Sequence, residues 1–551
     1  MKDALAGLIS RHLKKINIEP PEQIQVEIPK VKDHGDFSTN VAMVLAKSVK
    51  QAPRELAQEL LDSLERESDW IKKIELKGPG FINFFLKNSA YQHALTGIWE
   101  NGKIKLPCMG KGKKILVEFV SANPTGPMHV GHGRNAVVGD SLARLLGAVG
   151  YEVTREFYVN DHGVQIKTLG HSGSHYHTVL RQVGDVEVAL PDDMYRGEYL
   201  EKLVDKLHDQ IGKIKKDPLK IGKMLGEEIL HIIREDLDAL EVRFDHYFSE
   251  SSLYESGEID AALEQLKKTG NTYEQEEALW FRSSEFGDDK DRVLIKSDNT
   301  YTYFTPDIAY HKDKFDRTFD LYINVMGADH GGYVKRMKAA VQAMGYNPQQ
   351  LEFVLMQMVS LVRGGEKVAM SKRSGEYITL REVVDEVGKD AARFFFMLRS
   401  HNTHLDFDLE LAKEQSSENP VFYVQYAHAR MASIFRKAAE AGHAAPDAQA
   451  AIDLNPLQLP EEVDLIKKLL EYPDVLVSAA QGREPHRVAF YLLELAKIFQ
   501  NYYTKGKTDS RYRVIQEEAN TTQAKLYLIL SLQAIFRMGL EILGVSAPEE
   551  M

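Results

Sequence analysis

Cysteine is almost missing from this chain: Cys108 stands alone among 551 residues. A lone thiol closes no internal disulfide and builds no cysteine-based zinc site. Long apolar runs are missing too. No stretch reaches the ~18 consecutive apolar residues a membrane-spanning helix takes. Met1 to Ser10 lacks the basic start and apolar stretch of a signal peptide. No G-x-x-x-x-G-K-[ST] string occurs, which excludes a Walker-type phosphate loop. An excess of positive charge is also lacking, since 69 Lys and Arg face 81 Asp and Glu for a formal charge of -12. That balance speaks to solubility and leaves room for a local basic face toward a polyanion. Internal repeats and low-complexity tracts are absent. The expectation is a cytoplasmic protein without a membrane partner.

The length predicts three or more domains at roughly 100 to 200 residues each. The chain is organised around residues 115 to 151. Ile115 to Val120 reads as a short buried strand, apolar and partly β-branched. From about Gly131 the period changes. Val138, Leu142, Leu145, Leu146 and Val149 recur three or four apart, as on one helix face, and Gly147 and Gly150 supply a stop. Val153 to Val159 is the next strand. This strand–turn–helix–strand unit predicts a parallel α/β sheet, whose ligands bind beyond the carboxyl ends of the strands.

The turn holds His129-Val-Gly131-His132 where the helix begins. Free first-turn N–H groups and the helix dipole favour an anion there, imidazoles donate to phosphate oxygens, and Gly131 lets a flat base approach the backbone. The same pair also fits two helix-start histidines facing solvent.

Residues 1–105 read as a separate α+β module. Leu5, Leu8, Ile9, Leu13 and Ile16 form a helical stripe, and Val26 to Ile28 a short strand. His34 to Asn40 is a turn feeding a helix that buries Val41, Val44 and Leu45; Pro53 to Leu64 is a helix and Phe81 to Leu86 a strand. Residues 106–404 carry the α/β unit, interrupted by a helical insertion over roughly 165–280 with a break at Pro218. His171, His175 and His177 in that insertion fit either a metal site or a solvated loop beside Gly170 and Gly173. Strand-like runs return at Ala278 to Arg282, Val293 to Lys296 and Tyr301 to Phe304. Thr305-Pro306-Asp307 predicts a helix start with Thr as the cap and Pro at the first position. A second strand–turn–helix spans Leu321 to Met344, with Gly327-Ala-Asp329-His330-Gly-Gly332 as its turn. Phe353 to Arg363, Gly364-Gly365 and Glu366 to Met370 predict a hairpin, followed by the basic loop Ser371 to Gly375. Beyond Leu405 the pattern is helical, with a connector at Ala441 to Leu459 and helices at Glu461 to Leu470, Pro485 to Thr504 and Thr521 to Leu543.

His129-Val-Gly-His132 after a strand, with Met370-Ser371-Lys372 in a glycine-bounded loop further on, resembles the two signatures of class I aminoacyl-tRNA synthetases. Within that class, four strings are similar to the arginyl-tRNA synthetase family: Glu118-Phe-Val-Ser121-Ala-Asn123-Pro-Thr-Gly-Pro-Met-His129, Tyr158 to Gln165, Tyr303-Phe-Thr-Pro-Asp307 and Gly327 to His330. Asn419 to Arg430 and the N-terminal His34 to Asn40 join them, so the resemblance covers the chain in order. One departure stands out. The family's K-M-S-K-S loop reads Ala369-Met-Ser-Lys372-Arg373 here, with Lys367 nearby. Whether Lys367 or Arg373 shares the phosphate work is left open.

The resemblance implies a Rossmann-like catalytic domain, an N-terminal α+β domain (1–105) at the tRNA elbow, and an all-α anticodon-binding bundle (405–551). It implies activation of L-arginine by ATP and transfer to tRNA(Arg), by a monomer. Mg²⁺ would arrive with ATP, and no zinc is expected. His129, His132 and Lys372 would be catalytic, and Gly131, Met370 and Ser371 would join them in binding ATP. Glu118 and Asp307 would face the guanidinium, with Tyr303 as a wall; Ser121 and Asn123 would hold the α-amino and carboxylate groups, and Asp329 and His330 would approach from the other half. Asp307 is expected to stay ionised at its helix start. Tyr426, Arg430, Tyr502, Tyr503 and Lys505 would meet the RNA. Two other readings are weighed: an H-x-G-H nucleotidyltransferase, against which length and the arginine-pocket strings speak, and an inactive RNA-binding paralogue, against which the intact His129, His132 and Lys372 speak.

Overall fold

In the computed structural model the described residues are 1–64, 69–182, 191, 194–214, 217–368 and 378–551. They fall into two compact units. One comprises Leu106–Ala429, Pro473–Glu494 and Phe536–Met551; the other comprises Met1–Lys105, Arg430–Tyr472 and Leu495–Ile535.

The first unit is built on a five-stranded, all-parallel sheet. Its order is Leu351–Met356, Leu321–Gly327, Lys114–Glu118, Glu152–Val159, His246–Ser249. The chain thus starts in the middle, winds one way through the second and third strands, and returns to the other side for the fourth and fifth. The order reverses between Lys114–Glu118 and Leu321–Gly327, and a crevice opens at such a point beyond the strand ends. Ile115, Leu116 and Val117 are at most 1% exposed, as a central strand covered on both faces requires. The helix Val130–Ala148 follows and is buried along most of its length. Arg393, fully buried, ties it to the rest of this unit. Its guanidinium donates to Asp140 Oδ2 (2.6 Å), Leu543 O (2.7 Å) and Leu240 O (2.8 Å).

Several local expectations change. The stretch 165–280 is not helical throughout, because His246–Ser249 is the third strand of the main sheet. It is short and at the edge, so it carries no alternation to read. Thr272–Gln275, Ala278–Phe281 and Arg292–Ile295 form a separate antiparallel sheet, to which Tyr301 adds one bridge. Gly170 and Gly173 lie inside the helix Val164–Gln182, not in a loop. A Cβ on Gly170 would collide with the Pro218 carbonyl and one on Gly222 with the Ile166 carbonyl, so these two glycines let this helix cross Pro218–Ala239 backbone to backbone. The helix near Asp307 begins at Phe304, with Tyr303 at the cap; Thr305 donates its hydroxyl to Leu294 O (2.7 Å) instead of capping. A strand does follow residue 404: Leu405–Asp408 pairs with Val359–Arg363, which also makes the predicted glycine hairpin with Glu366–Lys367.

In the second unit the three-stranded antiparallel sheet runs Phe37–Thr39, Phe81–Leu86, Ile71–Lys77, with helices Lys2–Lys15, Val41–Val49 and Pro53–Leu64. Val26 to Ile28 reduces to a single bridge, Glu27 with Ser38, and Val44 faces outward, 57% exposed. These elements pack with bundle segments and do not stand apart. Lys467 Nζ donates to Asp36 Oδ1 (2.5 Å), Asn88 Nδ2 to Gln458 Oε1 (2.9 Å) and Gln92 Nε2 to Leu457 O (2.9 Å).

Helices Pro420–Glu440, Pro460–Leu470, Tyr472–Gly482, His486–Lys505 and Ala519–Leu543 make up the C-terminal region. The last is long and apolar enough to cross a membrane by length and composition, yet 72% of its most apolar window is buried. Its apolarity is that of a core helix.

Candidate functional site

A cavity of about 1170 Å³ opens at the point where the strand order reverses. It gathers Glu118, Ser121, Asn123, His129, Gly131, His132, Tyr303, Asp307, Asp329 and His330 from three stretches far apart in sequence. Met370, Ser371, Lys372 and Arg373 lie outside the described residues. Lys367 sits on its short strand with its ammonium 3.5 Å from Asp406.

At one end stand the two histidines. His129 caps the helix Val130–Ala148: its Nδ1 accepts from Gly131 N (3.1 Å), and His132 Nδ1 accepts from His129 N (3.3 Å). The rings stack, centroids 3.8 Å apart. The first-turn N–H of Gly131 is therefore engaged and not free for an anion. With Nδ1 an acceptor in both rings, the neutral imidazoles carry their proton on Nε2, as donors. Gly131 is small because the His129 ring folds over it; a Cβ there would come within 2.9 Å of that ring. Met356, the last residue of the fifth strand, and Gln357, Met358 and Val359 just beyond it also line the cavity. Arg134, on the histidine helix and 1% exposed, holds that segment by donating to Gln357 O, Thr403 O and Ser400 O, each at 2.9 Å. Burial without a facing carboxylate pulls the Arg134 guanidinium down to about 10.

The floor is a strained turn. Val120 (φ 66°) and Ser121 (φ 43°) are both left-handed, which is costly for a β-branched residue such as Val120. Asn135 stabilises the turn by accepting from Val120 N (2.7 Å) while donating to Val325 O (3.1 Å), so one side chain spans the crevice from the first strand to the fourth. The turn aims Ser121 Oγ at Glu118 Oε1 (3.0 Å) and at Tyr158 N (3.2 Å).

The other end is acidic. Glu118 is flanked in register by Glu156 and Asn324 on the neighbouring strands. It forms a buried ion pair with Lys314. Asp307 and Glu250 complete a group of three carboxyls on the cavity wall. Burial pushes Asp307 up to about 7; the Tyr333 hydroxyl pulls it back, the Glu118 charge adds to the rise, and Lys314 and Arg336 oppose it. The expectation of an ordinary ionised Asp307 changes for this reason: the residue does lie in the first turn of the helix that starts at Phe304, but burial outweighs the favourable dipole. Burial likewise raises Glu250 to about 8, with Asp307 and Asp161 adding to it and the Tyr158 hydroxyl opposing. Two carboxyls raised by burial, Asp307 only partly offset by Lys314 and Arg336, are chemically matched to a cationic ligand, and a planar fork of donors satisfies two carboxylates at once. Glu250 is absent from the sequence-level expectation. Its signal was its place directly after a strand of the main sheet, invisible while that strand went unread. Tyr158, Asn160 and Gln165 line the same cavity.

The residues expected to meet RNA divide differently. Tyr426 is 37% exposed. Arg430 donates to Gln500 and lies 4.4 Å from the Tyr503 ring. Lys505 pairs with Glu461 and lies 5.4 Å from the Tyr512 ring. Tyr502 departs from the expectation. It is 1% exposed, with its hydroxyl 3.3 Å from Glu462, so it is a core residue with no face left for a base.

Three family models match the chain: the class I tRNA synthetase (R) catalytic domain over residues 95–429, the DALR anticodon-binding domain over 424–551, and the arginyl-tRNA synthetase N-terminal domain over 3–86. An arginine–tRNA ligase of Citrifermentans bemidjiense is 48% identical over 536 residues, covering 96% of this chain and 95% of its own. One of Heliobacterium modesticaldum is 45% identical over 562 residues, covering 100% and 97%. Among solved structures, the arginyl-tRNA synthetase of Thermus thermophilus superposes with a TM-score of 0.75 at 25% identity over the whole of both chains.

Proposed function

The chain belongs to the arginyl-tRNA synthetase family of class I aminoacyl-tRNA synthetases, and from that premise we infer how its cavity performs the reaction. The enzyme activates arginine with ATP and transfers it to tRNA. The observation that carries the residue-level reading is one cavity with imidazole donors at one end and a carboxyl cluster at the other.

Arginine lies with its guanidinium against Asp307 and Glu250, where its charge draws both carboxyls into the ionised form. Tyr303, 71% exposed at the mouth, closes over the side chain. Ser121 and Asn123 take the α-amino and carboxylate groups; Glu118, expected at the guanidinium, is held by Lys314 and Ser121 and is assigned instead to the α-amino side, and Asp329 and His330 stand on the far wall. The arginine carboxylate then attacks the α-phosphate and pyrophosphate leaves. The Nε2–H groups of His129 and His132 donate where negative charge accumulates, and Gly131 and the Met356–Val359 segment flank the nucleotide. Lys372, with Met370 and Ser371 beside it, meets the departing pyrophosphate. No protein nucleophile is needed, since the substrate supplies it.

No group of three or more His, Cys, Asp or Glu side chains that could hold a metal lies among the described residues. Mg²⁺ would come with ATP and would supply charge neutralisation for the phosphates. The division of labour follows the segments 1–105 for the tRNA elbow, 106–404 for chemistry and 405–551 for the anticodon, with Tyr426, Arg430, Tyr503 and Lys505 toward RNA. We further assign a cytoplasmic monomer.

ATP–pyrophosphate exchange with each amino acid, with saturating tRNA present, tests this reading. Arginine alone should support exchange, in Mg²⁺ and without zinc. Exchange driven by another amino acid, or activity lost on selective zinc removal, would contradict it.

A further inference from the structure

The amino-acid end of the cavity contains a cation of its own. Lys314 is fully buried on the helix Phe304–Asp316, two turns beyond Asp307. Its ammonium reaches Glu118 Oε2 on the first strand, donates to Asn324 Oδ1 on the fourth at 2.9 Å, and lies 4.3 Å from the Tyr310 ring. Those two partners sit side by side in register across the point where the strand order reverses. Asn324 is itself held: its Nδ2 donates to His311 Nε2 (3.0 Å), and His311 Nδ1 donates to Asp307 O (2.8 Å). Burial pulls His311 down to about 3, so it is neutral and accepts that amide proton. The amide cannot turn over, and its oxygen faces Lys314.

We propose that Lys314 is a positioning residue for arginine recognition, a built-in cation that draws Glu118 back between the strands and leaves Asp307 and Glu250 as the pair facing the guanidinium. This rests on the arginine reading of the cavity given above. Three carboxyls share the wall, and three uncompensated charges would repel one another in a poorly hydrated site. Lys314 neutralises one of them. It also sets direction. With Oε2 held by Lys314, Glu118 presents Oε1 to Ser121, whose Oγ accepts from Tyr158 N, so the ammonium fixes the strained turn at the cavity floor through Glu118. The groups around Asp307 are Glu118 from the first strand, Tyr158 from the second, Glu250 and Tyr254 beyond the third, Tyr333 and Arg336 from the helix Gly331–Ala343, and Lys314 on its own helix. Removing Lys314 deletes a buried cation from this set.

The test compares Lys314→Met with the neutral pair Lys314→Met/Glu118→Gln. In exchange assays with tRNA, Lys314→Met should raise the arginine KM roughly 30-fold or more and leave the ATP KM within about threefold. The acid limb of kcat/KM for arginine should move up by about one pH unit, because Asp307 loses a neighbouring cation. The double variant removes the orphaned Glu118 charge and should regain the thermal midpoint lost in the single variant, while its arginine KM stays high. A purely structural lysine predicts otherwise: equal change in both KM values, an unmoved acid limb, or a double variant that regains arginine affinity along with stability. Any of these overturns the proposal. Wild type inactive with arginine would overturn the underlying reading as well, whereas wild type active on arginine and Lys314→Met kinetically unchanged would overturn this one alone.

Discussion

The two ends of the cavity are made in opposite ways. The histidine end is local: His129, Gly131 and His132 lie within four residues, and each imidazole is oriented by backbone N–H groups of the same helix start. The acidic end is assembled from afar. Glu118, Glu250, Asp307, Lys314 and Asn324 come from two strands and two helices and meet only because the sheet order places them there. The local end is a rigid pair of donors. The assembled end is a charge balance, in which burial and neighbours set the protonation of Asp307 and Glu250. Donors suit a charge that develops during reaction, while a tunable balance suits a ligand that arrives already charged.

That difference should show most strongly in kcat. His132→Ala removes one donor, along with the cap on His129 N, and is expected to lower kcat by roughly 10²–10³ with the arginine KM little changed. Steady-state exchange at saturating arginine checks this; near-normal kcat would take His132 out of the catalytic set.

At the other end, Asp307→Asn and Glu250→Gln should act on arginine and spare ATP. Truncating a buried charged partner costs about 2–5 kcal/mol, so kcat/KM for arginine should fall roughly 30-fold or more. Either variant should also discriminate less against citrulline, whose ureido carbonyl accepts from the new amide. Charging assays with arginine, lysine and citrulline decide it, and variants that charge arginine like wild type would move the guanidinium site elsewhere.

A smaller effect follows from the carboxyls raised to about 7 and 8. Their folded values lie above the unfolded ones near 4, so each favours folding when protonated, and that contribution is lost as pH rises toward and through 7 to 8. Arginine, binding the ionised pair, should restore what is lost. The rise in thermal midpoint on adding saturating arginine should be larger at pH 8.5 than at pH 6. An equal rise at both would show that these carboxyls do not titrate with binding.

The smallest expected change is at the brace. Asn135→Ala leaves Val120 N without its acceptor and frees the strained turn. Its effect should be about tenfold on kcat/KM for arginine and ATP alike, since Asn135 touches the floor under both; a loss confined to one substrate would contradict the bracing role.

How much could be read from the sequence follows the same divide. The strand–turn–helix at Ile115 to Ala148 was legible because a change of hydrophobic period and a short motif are local signals. The glycine hairpin at Gly364-Gly365 and the C-terminal helices Pro460–Leu470, His486–Lys505 and Ala519–Leu543 were legible for the same reason. Glu250 was not, because its strand is four residues long, at a sheet edge, and hidden in a mostly helical stretch. Lys314 was not, because a lysine in an amphipathic helix reads as solvent-facing until the register of two strands places a carboxylate and an amide over it. Asp307 reads correctly as a first-turn acid, but the burial that raises it comes from residues on other strands and helices and leaves no local signal. Tyr502 reads as an RNA-facing aromatic and is a core residue, because aromatics serve bundle cores and RNA surfaces equally well. Gly170 and Gly173 read as loop residues, whereas Gly170 is the point of closest approach in a helix crossing.

The claim that the acidic end is a titrating receptor for the guanidinium is tested most directly by calorimetry of arginine binding at pH 7.5 in buffers of different ionisation enthalpy. The account predicts release of on the order of one proton per arginine, with release vanishing at pH 9.5 and abolished near neutrality in the Asp307→Asn/Glu250→Gln double variant. Binding enthalpies independent of buffer at pH 7.5, with wild type still binding arginine tightly, would contradict it.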